Sequence, residues 1–288
     1  MKVRLKTLVG VLCALAVLSL VGCGGAATQA PAESADMLNV VVSIVPQQYF
    51  VERIGGEHVN VTVMVPPGFS PATYEPKPEQ LQALSKADAY VRIRVPFEEA
   101  WMERISSANQ DMLVIDESEG IERIGDNDPH LWLSPRLVKV QAQTIYDGLV
   151  EVDPDHAAGY EANLETFLAD LDELDAYIRE MLSGLESRKF MVFHPAWSYL
   201  AHDYNLEMIP VQIEGSDPSA AEMTGLIQAA QENNTRVIFA QPEFSTESAE
   251  AIAEEIGGQV LLISPLAPDW LDNLHRVADT FAEVLAGQ

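Results

Sequence analysis

The sequence predicts an α/β protein of two lobes, each a four-stranded parallel sheet with flanking helices, joined by one long backbone helix. Two observations carry this prediction. Short segments rich in Val and Ile alternate with helical patterns, which is typical of parallel sheets covered by helices. Four such segments precede a long helical stretch in the middle of the chain, and four follow it.

The predicted strands are short and rich in β-branched residues. They cover residues 39–45, 59–65, 89–93, 112–115, 189–193, 208–213, 236–240 and 259–263. Residues typical of helix starts precede three of the helices, which are predicted over 134–152, 217–230 and 245–256. A chain of about 250 residues after its N-terminal segment is long enough for two such lobes.

The long central helix is predicted over residues 154–185. Its apolar residues recur at steps of three and four, which gives one apolar stripe. They are Leu164, Phe167, Leu168, Leu171, Leu174, Ile178, Met181 and Leu185. Asp153 is expected to cap the start, with Pro154 in the first turn. A rod of about 45 Å can cross both lobes and join them once, so we expect small movements between the lobes.

Residues 1–22 have the pattern of an export signal. Lys2, Arg4 and Lys6 precede an uncharged apolar run over 8–21, which is short for a membrane span. Gly22-Cys23 resembles the lipobox of bacterial lipoproteins, in which the cysteine is lipidated. We therefore expect an exported protein that is lipid-anchored to the bacterial membrane through Cys23 and faces the periplasm or the cell exterior.

The predicted organisation follows from these features. It is a signal peptide over 1–22, a flexible tether over 23–37, an N-terminal lobe over 38–152, a linking helix over 153–187 and a C-terminal lobe over 188–288. The other cysteine, Cys13, lies in the removable segment, so the folded part is predicted to have no disulfide and no thiolate metal site.

The charge of the chain excludes one class of partner. The formal net charge is −27, and Lys2, Arg4 and Lys6 are the only charges in residues 1–22, so their removal leaves −30. So acidic a surface repels nucleic acid and anionic headgroups. It is compatible with a receptor for cations, although most of these carboxylates are expected to be a solvated surface.

Two histidines lie at the edges of predicted elements, each beside a proline. His130 is in Asp128-Pro129-His130-Leu131-Trp132, and His194 directly follows the strand predicted over 189–193. Imidazole is the commonest protein ligand for zinc, and ligands bind at the carboxyl ends of parallel strands. Either histidine alone is more often a packed or surface residue. The remaining histidines are expected to face solvent; they are His58, His156, His202 and His275.

Nearly the whole mature chain resembles the zinc/manganese solute-binding proteins of bacterial ABC importers. The motifs that carry the resemblance are Gly68-Phe69-Ser70-Pro71-Ala72-Thr73-Tyr74-Glu75-Pro76, Leu84-Ser85-Lys86-Ala87-Asp88, Asp128-Pro129-His130 with Trp132, Phe193-His194, Asp217-Pro218-Ser219 and Ile263-Ser264-Pro265-Leu266. The resemblance implies a monomeric receptor, not an enzyme, that binds Zn²⁺ or Mn²⁺ between its lobes. The receptor delivers the ion to a membrane permease that is driven by a separate ATPase.

The resemblance also implies a four-position metal site, of which this chain keeps two positions. His130 and His194 match the second and third. The first is usually a histidine and is Ala72 here; the fourth is usually a carboxylate and is Ser264 here. Two neutral imidazoles hold zinc weakly, because zinc sites normally use three or four protein ligands.

Other carboxylates are therefore candidate ligands. Glu75 lies three residues past Ala72, and Glu243 lies in the loop after the strand predicted over 236–240. Glu214, Asp217 and Asp269 are further candidates. The alternative for Glu75 is a structural loop residue, and for Glu243 a solvent-facing acid at a helix start.

Three other functions stay open. The same receptor could hold another small solute, recognised by the two histidines and neighbouring Trp or Tyr side chains. A metal-dependent hydrolase could use Glu75 or Glu243 as its base, although the sequence lacks His-Glu-x-x-His, Gly-x-Ser-x-Gly and P-loop motifs. A lipid-anchored receptor could also act as an adhesin-like surface protein.

Overall fold

The structure is a computed structural model of the chain, and it describes residues 37–125, 127–212 and 216–287. The predicted signal peptide, the tether up to residue 36, the lipidation site Cys23 and the candidate ligand Glu214 lie outside the described residues. In the part that is described, no helix is long and apolar enough to cross a membrane.

The N-terminal lobe contains a parallel sheet of four strands in the order β2-β1-β3-β4. Its strands are β1 (Leu38–Ile44), β2 (Val59–Val65), β3 (Ala89–Arg92) and β4 (Leu113–Asp116). Its helices are α1 (Val45–Gly55), α2 (Pro78–Leu84), α3 (Pro96–Ala108) and α4 (Pro135–Val152). The central strand β1 is almost fully buried from Val40 onward, as expected for a strand covered on both faces.

The C-terminal lobe repeats this arrangement with strand order β6-β5-β7-β8, again all parallel. Its strands are β5 (Lys189–Val192), β6 (Glu207–Pro210), β7 (Val237–Ala240) and β8 (Gln259–Leu262). The helices that follow the central helix α5 (Ala157–Met181) are α6 (Ser198–Asp203), α7 (Ala220–Glu232), α8 (Glu247–Glu255) and α9 (Trp270–Ala286).

The predicted fold class is confirmed, and the predicted strands differ from the observed ones only at their ends. The largest difference is at β6, which ends at Pro210 rather than continuing to residue 213. Helix α7 begins after Ser219, whose hydroxyl accepts a hydrogen bond from the Glu222 N–H in a capping box. Helix α8 begins at Glu247, two residues later than predicted.

The central helix is shorter than the sequence predicted. Residues Pro154–His156 form a 3₁₀ turn, and α5 covers Ala157–Met181, which is about 38 Å at 1.5 Å per residue. Asp153 does not cap it, because its carboxylate accepts hydrogen bonds from the Tyr160 hydroxyl and the His156 ring instead. Gly184, at φ +68°, turns the chain away after the helix. The lobe boundaries at residues 152 and 188 stay predictions.

One hydrophobic core runs through both lobes. Six buried residues of α5 recur at steps of three and four, and this helix packs against α1 and α4 of the N-terminal lobe and α9 of the C-terminal lobe. Two tryptophans connect the lobes directly. The Trp132 indole N–H donates to the Pro265 carbonyl at 2.7 Å, and the Trp270 indole N–H donates to the Trp132 carbonyl at 2.8 Å. A smaller second core covers the outer face of the C-terminal sheet.

Candidate metal site

A cavity of about 230 Å³ lies where the loops after the strands of both lobes meet. Loops that follow β2, β3 and β4 supply its N-terminal wall, and loops that follow β5, β6, β7 and β8 supply its C-terminal wall. Its lining residues are Ser70, Pro71, Ala72, Val95, Pro96, Pro129, His130, Trp132, His194, Gln212, Glu243, Phe244, Pro265 and Leu266. The carboxyl ends of parallel strands therefore form this site, as the strand pattern predicted.

His130 is held by the aspartate two residues before it. The Asp128 carboxylate accepts a hydrogen bond from the His130 backbone N–H at 2.9 Å and contacts the ring Nδ1 at 2.7 Å. Burial acts to raise the pKa of Asp128, but the hydrogen bonds from His130 outweigh it and lower that pKa. An ionised carboxylate only accepts, so His130 Nδ1 carries a proton, and in the neutral tautomer Nε2 has the free lone pair.

His194 is fixed by two glutamines and one aromatic ring. Its Nδ1 contacts the Gln212 Oε1 at 2.9 Å, and Gln241 bonds both its backbone N–H and its carbonyl. The Phe244 ring stacks on the imidazole at 4.8 Å. Burial, together with the neighbouring His130, lowers the pKa of His194 to about 4. The ring is therefore neutral at physiological pH, and since an amide oxygen only accepts, Nδ1 is the protonated nitrogen.

The two imidazoles point their free nitrogens at each other. The distance between His130 Nε2 and His194 Nε2 is 3.3 Å, and the ring planes are inclined by 73°. When both rings are neutral and protonated at Nδ1, each Nε2 presents a lone pair, and two facing lone pairs repel unless a cation lies between them. Two nitrogens bound to one tetrahedral zinc at about 2.0–2.1 Å lie about 3.3–3.4 Å apart. The observed separation fits that geometry.

Glu243 and Ser264 interact in the C-terminal wall of the cavity. The Ser264 hydroxyl donates to the Glu243 Oε1 at 2.8 Å, while the Glu243 Oε2 is buried without a hydrogen-bond partner. Burial raises the pKa of Glu243 despite that hydrogen bond. Ser264 also accepts from the Leu266 N–H at 3.1 Å, so its hydroxyl orients the glutamate.

Of the predicted carboxylate ligands that the structure describes, Glu243 lines the cavity with the histidine pair and the others do not. Glu75 is exposed and does not line the cavity, and Asp217 and Asp269 are exposed as well. Within the described residues, no group of three or more His, Cys, Asp or Glu side chains is close enough to hold one ion. Ala72 lines the cavity and brings no donor atom to it. The ligand roles of Glu75 and Glu243 stay predictions.

The remaining four histidines do not line the cavity. His58 and His156 stack on each other with ring centroids 3.8 Å apart, His202 contacts Asp203, and His275 lies against Tyr177. Only His202 is exposed; the other three are partly buried.

The sequence did not identify several residues that shape the site. Gln212, Gln241 and Phe244 orient His194, and Val95 with Pro96 forms an apolar part of the wall. All five lie within four residues of a strand end, which is the signal that could have identified them. The buried Glu98 fixes the turn before Val95, because its carboxylate accepts hydrogen bonds from the Ile93 and Arg94 N–H groups.

Comparison with known proteins gives consistent results. Residues 40–284 match the family model of the periplasmic zinc-uptake complex component A, ZnuA. The high-affinity zinc uptake system protein ZnuA of Bacillus subtilis (strain 168) is 29% identical over 275 residues, which cover 86% of this chain and 85% of that protein. The manganese-binding lipoprotein MntA of Halalkalibacterium halodurans is 28% identical over 289 residues, with 94% and 96% coverage.

Solved structures agree with this likeness. A crystal structure of ZnuA is 51% identical to this chain with a TM-score of 0.85, and the match covers 86% of this chain and 99% of that one. The laminin-binding protein Lbp of Streptococcus pyogenes is 25% identical with a TM-score of 0.77, and the match covers 87% and 99%.

Proposed function

Since this chain belongs to the family of periplasmic zinc-uptake components, ZnuA, we propose that it captures a divalent metal ion outside the cytoplasm and delivers it to an ABC importer. The ion is held between the lobes by His130 Nε2 and His194 Nε2. Delivery requires a membrane permease and its ATPase as partners. The family consists of transport components rather than enzymes, so the hydrolase alternative is set aside.

The observation that carries the proposal is the arrangement of the two imidazoles. Their Nε2 atoms face each other at 3.3 Å, and both Nδ1 atoms are occupied by acceptors from the surrounding protein. Such outer partners are how proteins fix the tautomer and direction of metal-binding histidines. A pair of neutral rings held with their lone pairs together is costly in an empty site and is stabilised by a cation.

The donor chemistry favours zinc over manganese as the cargo. Imidazole nitrogen suits zinc, whereas manganese prefers carboxylate, carbonyl and water oxygens. The pair offers two nitrogens, and among the residues that the structure describes the carboxylate in the lining is Glu243, which forms no cluster of three metal-binding groups with them. Relatives of this chain are named for each of the two metals, one for zinc uptake and one for manganese binding.

We further propose that the protein is exported, lipid-anchored through Cys23 and monomeric. The basic start, the apolar run over 8–21 and Gly22-Cys23 support the anchor. The alternative of an adhesin-like role is supported by the likeness to a laminin-binding protein, while the cavity itself favours a small cargo.

The test is a zinc titration of the metal-stripped protein, followed by thermal unfolding. Zinc should bind at about one ion per chain and raise the midpoint temperature, because a ligand that binds only the folded state stabilises it. His130→Ala or His194→Ala should abolish the shift.

His58→Ala is the matched control, because His58 is also paired with a second histidine but lies away from the cavity. It should leave the zinc-induced shift unchanged. An undiminished shift in both site variants would place the ion elsewhere, and a protein that binds no metal at all would refute the proposal.

A further inference from the structure

Helix α6 of the C-terminal lobe contacts the loop of the N-terminal lobe that carries His130. Tyr199 makes this contact. It lies in the first turn of α6, five residues after His194, and its side chain is buried. Tyr199 does not line the metal cavity, so any effect it has on the ion acts through other residues.

The Tyr199 hydroxyl holds the backbone in front of His130. It donates to the Asp128 carbonyl at 2.8 Å and accepts from the Ile124 N–H at 3.3 Å. The Asp128 N–H in turn donates to the Ile124 carbonyl at 3.2 Å. Burial raises the pKa of Tyr199, so its hydroxyl keeps the proton that it donates. The position of Asp128 is therefore set from the opposite lobe.

Asp128 passes this position on to His130. Its carboxylate accepts from the His130 backbone N–H at 2.9 Å and contacts the ring Nδ1 at 2.7 Å. Pro129, between the two residues, has a fixed φ angle, and its carbonyl accepts from the Leu131 N–H at 2.8 Å. The backbone from Asp128 to His130 therefore has little freedom, and the imidazole follows the aspartate.

The chain between His194 and Tyr199 is also held in place. The Ala196 N–H donates to the His194 carbonyl at 2.8 Å, and the Trp197 carbonyl accepts from the Ala201 N–H at 2.9 Å. Ala196 and Trp197 are fully buried. One packed segment thus carries the imidazole of its own lobe and, through Tyr199, holds the loop of the other imidazole.

We propose, on the basis of the function given above, that Tyr199 is a positioning residue for the metal site. Its hydroxyl fixes Asp128, and Asp128 directs His130 Nε2 toward His194 Nε2 at 3.3 Å. Ligand groups must be held within about 0.5 Å of their productive positions for tight binding. Loss of this one hydroxyl therefore loosens His130 and weakens the capture of zinc, although the phenol does not touch the ion.

Tyr199→Phe tests the proposal, because it removes the hydroxyl and keeps the buried ring. Zinc affinity, measured by competition with a fluorescent chelator, should fall about tenfold, the smallest loss typical of partners behind metal ligands. Tyr204→Phe is the matched control. Tyr204 ends the same helix, is also buried, and its hydroxyl donates to Asp175 at 2.8 Å. This control should keep the zinc affinity of the parent chain.

Two further measurements separate positioning from stability. Each variant loses one hydroxyl hydrogen bond, so thermal unfolding of the metal-stripped chains should show similar decreases of about 2–4 °C. Cobalt(II) can replace zinc, and its visible absorption depends on where its ligands lie. The spectrum of the cobalt-loaded protein should therefore change in Tyr199→Phe and stay unchanged in Tyr204→Phe.

The outcomes distinguish this proposal from the proposed function. If Tyr199→Phe keeps the affinity and the cobalt spectrum of the parent chain, the positioning role is overturned and zinc capture stands. Equal losses of affinity in both variants also overturn it, because they would reflect a general loosening of the fold. A parent chain that binds no zinc refutes the proposed function, and the positioning role falls with it.

Discussion

Each imidazole of the site depends on one acceptor behind it. Asp128 holds the Nδ1 proton of His130, and Gln212 holds that of His194. The acceptors do not touch the proposed ion, yet they decide which nitrogen offers its lone pair to it. His130 and His194 therefore present Nε2 to an ion only because Asp128 and Gln212 hold their Nδ1 protons. The sequence pattern indicates the two histidines but does not indicate that Gln212 lies beside His194.

Ala72 provides a test at the scale of one side chain. Ala72→His should strengthen zinc binding at least about tenfold, a change of the size that even outer-shell partners produce, because it adds a nitrogen donor to a cavity that lacks a third one. Competition with a fluorescent zinc chelator measures the affinity. Thr73→His, in the same loop but outside the lining, is the control and should change nothing. Equal affinities for Ala72→His and the parent chain would show that residue 72 does not face the ion.

Glu117 is a buried acid whose ionisation affects the stability of the fold rather than the histidine pair. It is fully buried, and its Oε2 has no hydrogen-bond partner. Burial, with the nearby carboxyl groups of Glu98 and Asp116, raises the pKa of Glu117 well above its ordinary value. The folded state therefore holds a proton that the unfolded state loses above about pH 4.5.

The contribution of Glu117 to the free energy of unfolding should consequently fall as the pH rises above about 4.5, because the unfolded state then loses a proton that the folded state keeps. Glu117→Gln removes this contribution, so the variant should gain stability over the parent chain at pH 8 and little at pH 4. A gain of 1 kcal/mol corresponds to about 2–4 °C in the unfolding midpoint for a protein of this size. Calorimetry at the two pH values measures it, and a difference that does not grow with pH would contradict the assignment.

At the scale of elements, the start of α4 joins the two lobes. The Ser134 hydroxyl accepts from the Leu137 N–H, which caps the helix, and it donates to Asp203 at the end of α6. Arg136 in the first turn of α4 pairs with the same aspartate at 3.1 Å. One serine thus satisfies a helix end in the N-terminal lobe and a carboxylate of the C-terminal lobe.

Ser134→Ala should lower the free energy of unfolding by about 1–2 kcal/mol, through the lost cap and the hydrogen bond removed from Asp203. Ser219→Ala, which removes an exposed cap of α7 within one lobe, is the matched comparison and should cost about 1 kcal/mol or less. Urea denaturation measures both. A smaller loss at Ser134 than at Ser219 would mean that the contact with Asp203 contributes nothing.

At the scale of the whole molecule, the lobes are parts of one packed unit. A single core continues from α1 through α5 to α9, and Trp132, Pro265 and Trp270 exchange hydrogen bonds across the seam. Closure around a ligand by a wide hinge motion would break these contacts.

Ligand binding should therefore change the overall dimensions very little. Small-angle X-ray scattering of the metal-stripped and zinc-loaded protein should give radii of gyration within about 1 Å of each other, as for other preorganised binding proteins. A decrease of more than about 2 Å on zinc binding would contradict the single-core argument, since it would require the seam to open in the metal-free state.

The sequence determined the fold and the two imidazoles. Alternating strand and helix patterns gave two four-stranded parallel sheets, and the apolar stripe of the central helix gave its packing face, because burial imposes a period that a single sequence displays. His130 and His194 were recognisable because each lies beside a proline at the edge of an element. The central helix ends at Met181 rather than near residue 185, and its first predicted turn is 3₁₀, where Asp153 bonds side chains rather than the helix backbone.

Only the tertiary structure decided what surrounds those imidazoles. The distance of 3.3 Å between the two nitrogens, the hydrogen bonds that fix their tautomers, the free oxygen of Glu243 and the apolar cavity all involve residues from different loops. Contacts between distant loops have no period along the chain and depend on how two sheets are set against each other. For that reason the sequence could name the two histidines that we propose as metal ligands, while the shape and chemistry of the cavity came from the packing of the lobes.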